Sequence, residues 1–417
     1  MMSSTNATNA GLTPLAQKLA ARIAAEGPIS LHGYMEACLY DPAHGYYKKR
    51  DPLGRGGDFI TAPEISQVFG ELIGLWAGET WRLMGQPDAV RLIELGPGRG
   101  TLMADALRAL RVLPAFLHCA TVHFVEPSAP LRAAQEAALG GAPSPVCWHE
   151  RIEDVPPGAA IVIANEFFDC LPVRQFVYGE AAQAWRERMV AFRDGGFGFE
   201  LGEAPPHSVS LPEGSEAPRT VPGESYSVPS PRPHPLAGAA AKDASTPRRA
   251  CAEKDRMRGD SPRAEDGAIY ETRPGTAGIL QSFAARAADA PFAALIIDYG
   301  YSQPASGDTV QAVKQHRFAG LFDAPGEADL TAHVDFSDLA RKAKALGLAP
   351  SGPMPMGEWL LRLGLEARVH QLLRRASAEE ALELRGRITR LVDPAQMGAL
   401  FKTVVLTAGI SGPLPPF

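Results

Sequence analysis

The stretch LIELGPGRGT, Leu92 to Thr101, constrains the fold more than any other part of the chain. A short apolar run ends around the acid Glu94 and breaks at once into Gly96, Gly98 and Gly100. That is the pattern of a buried strand whose backbone turns sharply and leaves little side-chain bulk in the way of a ligand. RLIELG reads as a strand, TLMADALRAL as a helix, TVHFVEP as a strand, APLRAAQEAAL as a helix, PVCWHE as a short strand and AAIVIANEFFD as another strand. Such alternation predicts an α/β fold, a parallel sheet with helices on both faces and a ligand beyond the carboxyl ends of its strands.

On the amino-terminal side, Leu12, Leu15, Leu19 and Ile23 recur at helical spacing and predict an amphipathic helix closed by Gly27 and Pro28. SLHGYMEACLYDPAHGYYKKRDPLGRGGDFITAPEIS mixes aromatics with Gly, Pro and Asp and reads as a long structured loop of the kind that lies over a site. EISQVFGELIGLWAGETWRLMG then has helical period. After the fourth core strand, PVRQFVY, AWRERMVAF and GFGFEL read as antiparallel strands. Between Gly202 and Gly267 the composition shifts to Pro, Ser, Ala, Gly and mixed charge, too little apolar surface to offset ordering entropy, so disorder is expected there. Beyond it come a helix near Thr276 to Ala290, the strand AALIIDYGY, a helix around DFSDLARKAKALGL, further helices through Arg390 and a last strand FKTVVLTAG. The expected organisation is an extension over 1–85, a core in two parts over 86–175 and 268–417, a β-rich insertion over 176–201 and a low-complexity insertion over 202–267.

The net charge of -6 lacks the basic excess that binding a phosphate backbone requires, so nucleic acid is a disfavoured partner and a cationic substrate a better match. Cys38, Cys119, Cys147, Cys170 and Cys251 stand far apart, with no C-x-x-C pair, and read as reduced. No histidine cluster of metal-site spacing and no G-x-S-x-G elbow is present, so neither a metal site nor a serine hydrolase is expected. No run has signal-peptide or membrane-span character, from which a cytoplasmic protein without membrane insertion is expected.

The glycines choose among ligands by spacing. A nucleoside triphosphate loop needs a Lys after its glycines, and a dinucleotide loop needs G-x-G-x-x-G; the tighter G-x-G-x-G here, with Glu94 two residues before it, instead resembles motif one of the class I methyltransferases that use S-adenosyl-L-methionine. Glu94 is placed to attract the cationic part of that cofactor, with Gly96, Pro97, Gly98, Gly100 and Thr101 around its methionine arm. Glu126, at the next strand end, is placed to accept both ribose hydroxyls. In GRGGDFITAPEIS, Asp58 and Thr61 either reach the methionine arm or only open the following helix with Pro63 and Glu64.

YMEACLYDPAHGYY, GDFITAPEISQVFGELIG, ELGPGRGTLM, NEFFDCLPV, WRER, DYGY and GEADLTAHVDF together resemble the MidA-type methyltransferases, over nearly the whole chain except the low-complexity insertion. The resemblance implies a Rossmann-like parallel sheet with an antiparallel C-terminal strand, S-adenosyl-L-methionine as cofactor, and methylation of a protein arginine on a core subunit of respiratory complex I during its assembly. Methylation of a small molecule on the same fold, or a cofactor-binding chaperone without turnover, are the alternatives.

An arginine guanidinium holds its proton with a pKa above about 12, so its methylation calls for acids that clamp the cation and help remove the proton. Glu166 and Asp169, at the end of the fourth strand, are the candidates, with Phe167 and Phe168 walling the pocket or packing beneath it; Asn165 and Asp169 alternatively organise the turn before Pro172. His333 and Asp335 line a peptide cleft, or Asp335 or Ser337 caps the next helix. His149 and Glu153 are expected near the adenine.

Overall fold

The strands Val90–Leu95 and Ala160–Asn165 place alternate residues in two cores, one on each face of a central sheet. Leu92, Ile161 and Ile163 enter the core beneath the helix Gln67–Leu83, and Ile93, Val162 and Ala164 enter the core beneath Pro274–Ala287. The computed structural model describes residues 11–49, 61–182, 184–203, 265–412 and 414–417. Asp58 and Cys251, and with them most of the stretch expected to be disordered, lie outside the described residues.

The sheet comprises β1 (Val90–Leu95), β2 (Ala120–Val125), β3 (Val146–His149), β4 (Ala160–Asn165), β5 (Phe292–Tyr301), β6 (Ala349–Pro355) and β7 (Phe401–Ala408). Their order is β6-β7-β5-β4-β1-β2-β3, and the short strand Val334–Asp335 pairs with the end of β5. β1 to β5 run parallel, whereas β7 is antiparallel to β5 and β6 antiparallel to β7. The order reverses between β1 and β4, so the two strand tips there open a crevice rather than being covered by a shared crossover.

Several elements differ from the sequence expectation, two of them for reasons visible in the residues. The stretch after Ser30 is no long loop but carries the helix Leu31–Tyr40. The Ser30 hydroxyl accepts the Gly33 N–H as its N-cap, and Leu31, Tyr34, Met35, Cys38 and Leu39 are buried at helical intervals. Gly33 and the turn residues after Tyr40 mask that period. The Asp41 carboxylate then receives the N–H groups of Ala43 and His44, turning the chain into the short helix Tyr46–Lys49. β6 was also not expected, because APSGPMP carries three prolines; they are tolerated because β6 is an edge strand whose register shifts between Ser351 and Met354.

The predicted antiparallel strands form as Arg174–Gly179, Ala184–Arg193 and Gly196–Leu201. Ile29–Ser30 and Ile269–Thr272 complete that sheet. A small third sheet joins Gln311–Lys314, Arg317–Ala319 and Asp329–Thr331. No helix among the described residues is long and apolar enough to cross a membrane.

Helix Gln67–Leu83 lies unusually close to helix Thr101–Ala109, which carries the glycine loop at its start. A Cβ added to Gly74 would stand 2.5 Å from the Ala106 carbonyl oxygen and 2.7 Å from its Cα, so only hydrogen fits. Buried Glu71 fastens the same interface, accepting Arg108 Nη2 at 3.0 Å and Arg368 Nε at 2.7 Å. Gly74→Ala is expected to lower the unfolding free energy by about 1–3 kcal/mol, as overpacked cores do, measured by urea denaturation. An unchanged midpoint would show that the two helices separate freely.

Candidate functional site

The glycine loop leaves β1 through left-handed backbone: φ is 60° at Gly96, 54° at Gly98 and 80° at Gly100. A Cβ at Gly96 would also meet Phe167 Cδ2 at 3.1 Å, so conformation and space both exclude a side chain. Gly100 stands at the N-cap of helix Thr101–Ala109, its N–H donated to the Pro97 carbonyl at 2.8 Å. Wholly buried Gln135 braces the loop, donating Nε2 to the Gly98 carbonyl at 2.7 Å while its Oε1 accepts Trp148 Nε1 at 2.9 Å. Sequence reasoning missed Gln135, whose one signal is an amide on the inward face of an amphipathic helix.

A cavity of about 570 Å³ opens over this loop. Glu94, Gly96, Pro97, Gly98 and Thr101 line it from β1 and its turn, and Glu126 from the end of β2. Glu166 and Asp169 line it from the end of β4, and Thr61 from the segment before helix Ala62–Ile65. Gly100 supports the wall without lining it. The folded chain thus brings together the described candidates from three strand ends.

Their environments differ. Glu94 is 3% exposed, its Oε2 has no hydrogen-bond partner, and burial pushes its carboxyl well above the ordinary range. Burial raises Glu126 to about 7, although its Oε1 accepts the Ser128 N–H at 2.8 Å. Burial likewise raises Glu166 to about 7, against hydrogen bonds to its Oε1 from the Ala62 N–H at 3.0 Å and Asn165 Nδ2 at 3.2 Å. Glu166 has φ 51°, a left-handed conformation uncommon away from glycine, and donates its own N–H to the Ile297 carbonyl at 2.9 Å. Asp169 is 4% exposed with Oδ1 unpartnered, and burial raises its carboxyl too.

Asp298 organises the turn after β4 from outside it, and the Asp169 carboxylate adds a hydrogen bond from the Cys170 N–H. Asp298 Oδ2 accepts the N–H groups of Phe168 at 2.9 Å and Asp169 at 3.1 Å. Phe168 packs wholly buried in the core, whereas Phe167 walls the cavity. Thr61 caps Ala62–Ile65 by position alone, without a side-chain hydrogen bond, and Thr101 Oγ1 donates to Glu64 Oε1 at 2.6 Å. Asp335 accepts the Asp338 N–H at 2.9 Å as a helix cap, and neither it nor His333 lines the cavity. Glu153 lines it, whereas His149 turns to His123, with ring nitrogens 2.9 Å apart. Tyr40, Tyr47, Tyr299 and Asp329, all missed as site residues, complete the far wall. Cys38, Cys119, Cys147 and Cys170 are free thiols.

The arrangement fits S-adenosyl-L-methionine on its own chemistry. A cofactor with an ammonium, a sulfonium and ribose hydroxyls matches the unpartnered oxygens of Glu94 and Asn165 and the acceptor of Glu126 beside a loop stripped of side chains.

Comparison with known proteins agrees. Protein arginine methyltransferase NDUFAF7 homolog, mitochondrial, from Drosophila melanogaster is 36% identical over 427 residues, covering 95% of this chain and 85% of its own length. Protein arginine methyltransferase NDUFAF7, mitochondrial, from Homo sapiens is 34% identical, covering 95% and 83%. A crystal structure of a superfamily member from Burkholderia thailandensis bound to S-adenosyl-homocysteine superposes with a TM-score of 0.73 at 25% identity, covering 99% of this chain and 97% of its own. The mitochondrial relatives overturn the cytoplasmic assignment expected from the sequence, which rested on the lack of signal-peptide and membrane-span patterns. Residues 72–354 match the family described as S-adenosyl-L-methionine-dependent methyltransferases, and to that family the chain belongs.

Proposed function

We propose that the protein methylates an arginine guanidinium of a protein substrate, and that this substrate is a core subunit of respiratory complex I. The observation that carries the reading is Asp169, a buried carboxylate with an unpartnered oxygen, sharing one cavity with Glu166 and the glycine loop. The naming of two relatives as protein arginine methyltransferases supports it. The complex I subunit is supported by the family resemblance.

Glu94, Gly96, Pro97, Gly98, Thr101 and Glu126 would hold the cofactor, Gly100 supporting the loop and Thr61 closing the near side. Bound there, S-adenosyl-L-methionine supplies an electrophilic methyl group on a sulfonium. Glu166 and Asp169 accept guanidinium N–H groups and fix the plane of the cation, so that one nitrogen lone pair faces the donor. Phe167 excludes water beside the Gly96 turn. Glu166, with its carboxyl near 7, is matched to take up the proton that leaves the methylated nitrogen.

Transfer of labelled methyl groups from S-adenosyl-L-methionine into proteins of a strain lacking this gene, with the modified residue located by mass spectrometry, tests the assignment. Label on an arginine supports it; label confined to metabolites replaces it with small-molecule methylation. Glu166→Gln is expected to cut kcat by about 100-fold or more while leaving S-adenosyl-L-homocysteine affinity nearly intact by calorimetry. Loss of that affinity would move Glu166 from acceptor binding to cofactor binding.

The Glu126 assignment carries its own pH signature. The ribose hydroxyls donate to an ionised carboxylate, and Glu126 is protonated below about 7. Affinity for S-adenosyl-L-homocysteine should therefore rise as pH increases through that value and level off above it. Glu126→Gln should remove this rise and weaken binding about tenfold. A pH profile unaltered in the variant would exclude Glu126 as the ribose acceptor.

A further inference from the structure

Glu166, the proposed proton acceptor, is held by a segment outside the central sheet. Burial raises its carboxyl to about 7, and the foremost group acting against burial is the Ala62 N–H, which donates to Oε1 at 3.0 Å. Ala62 opens the short helix Ala62–Ile65, which lines the cavity through Pro63 and Glu64, with Thr61 just before it. A single helical turn has too few internal hydrogen bonds to hold its own shape. Its apolar side, Ala62 and Ile65, is buried in the core. That burial fixes the depth of the turn but not its rotation, because apolar contact is non-directional.

A second hydrogen bond supplies the direction. Thr101 Oγ1, at the first residue of the helix after the glycine loop, donates to Glu64 Oε1 at 2.6 Å, within the range of charge-assisted O–H···O bonds. The frame behind it is stiff. After Ser66 the chain enters helix Gln67–Leu83, where a Cβ on Gly70 would stand 2.8 Å from the Leu102 carbonyl oxygen, so this helix and Thr101–Ala109 meet backbone to backbone. The turn Ala62–Ile65 is therefore tied at Glu64 to the helix of the glycine loop and at Ala62 to the acid beyond β4. The other groups facing Glu166 come from neighbouring elements. Asp169 raises its carboxyl, whereas Asn165 at the end of β4 and Arg390 of helix Ala378–Val392 lower it. Asp298 of β5 is near enough for Glu166 to raise it in turn.

We propose that Glu64 is a positioning residue for proton transfer: bonded to Thr101, its carboxylate fixes the turn that presents the Ala62 N–H to Glu166. The inference rests on the assignment of Glu166 as proton acceptor and adds the residue that tunes that acid. Glu64 acts through geometry, so the sign of its effect is diagnostic. Removing a nearby negative charge makes a carboxyl more acidic, whereas releasing the Ala62 N–H makes Glu166 less acidic. Glu166 takes up a proton only when ionised, so a less acidic Glu166 moves the acid limb of kcat to higher pH.

The test follows kcat between about pH 5 and pH 9 for methyl transfer at saturating S-adenosyl-L-methionine. The acceptor is the arginine-labelled protein of the deletion strain, purified unmethylated, and S-adenosyl-L-homocysteine affinity is measured by calorimetry. Wild type is expected to show an acid limb at about 7. Glu64→Ala should move that limb up by about half a unit or more, with S-adenosyl-L-homocysteine affinity within about twofold of wild type. Glu64→Gln, which keeps Oε1 as an acceptor, should recover most of the displacement. Thr101→Val, which removes the donor, decides the matter by the same limb if Glu64→Ala does not fold. A limb that stays in place or moves to lower pH in the deciding variant overturns the inference while leaving the proposed function standing. Lost S-adenosyl-L-homocysteine affinity in Glu64→Ala with an unmoved limb also overturns it, by making Glu64 a cofactor ligand. A wild-type protein that labels no arginine overturns both.

Discussion

The site depends on one buried carboxylate at the end of β5. Asp298 is wholly excluded from solvent, yet its two oxygens collect the N–H groups of Phe168, Asp169 and Tyr299. The N–H groups of Phe168 and Asp169 lie where β4 stops pairing, and unpaired in the interior they would each cost about 1–3 kcal/mol. The turn they close begins at Glu166, in a left-handed conformation that costs energy in a residue with a Cβ. With Asp298 holding the far side, that strained turn directs Glu166 and Asp169 into the crevice beside the glycine loop. The position of the acids is therefore set by a residue more than 100 positions away in the chain, through hydrogen bonds rather than local preference.

The cavity concentrates acids in a way that folding by itself disfavours. Glu94, Glu126, Glu166 and Asp169 all have carboxyls raised by burial, and the unpartnered oxygens of Glu94 and Asp169 remain as unmet acceptors. Groups in this state are stabilised by ligands that bring donors and positive charge. A methyl donor and a guanidinium both do so, which gives the clustered acids a common physical purpose.

Much of this was legible before folding was considered. Glu94, Gly96, Gly98, Gly100 and Thr101 lie along one strand end and the turn after it, and Glu126 follows the next strand, so local spacing alone places them together. The helix Leu31–Tyr40 was not legible: Gly33 interrupts its pattern, and its buried face becomes evident only against the strands it covers. Tyr40 at its end and Tyr47 in the short helix that follows therefore read as loop residues in the sequence. Asp298 and Asp329 were missed for a related reason, since an acid beside a strand terminus looks the same in sequence whether it caps, faces solvent or points into a cavity. Gln135 fits the same account, an amide whose role exists only because Gly98 and Trp148 meet it from other elements.

The sequence by itself determined the parallel sheet, the bare turn after β1 and the kind of cofactor that such a turn admits, because each follows from residues within one or two turns of backbone. Only the tertiary structure decided which acids share the recess and which rings wall it. Those choices depend on bringing Tyr47, Asp169, Asp298 and Asp329 together from three strands and an N-terminal helix, and on excluding water so that each hydrogen bond among them matters.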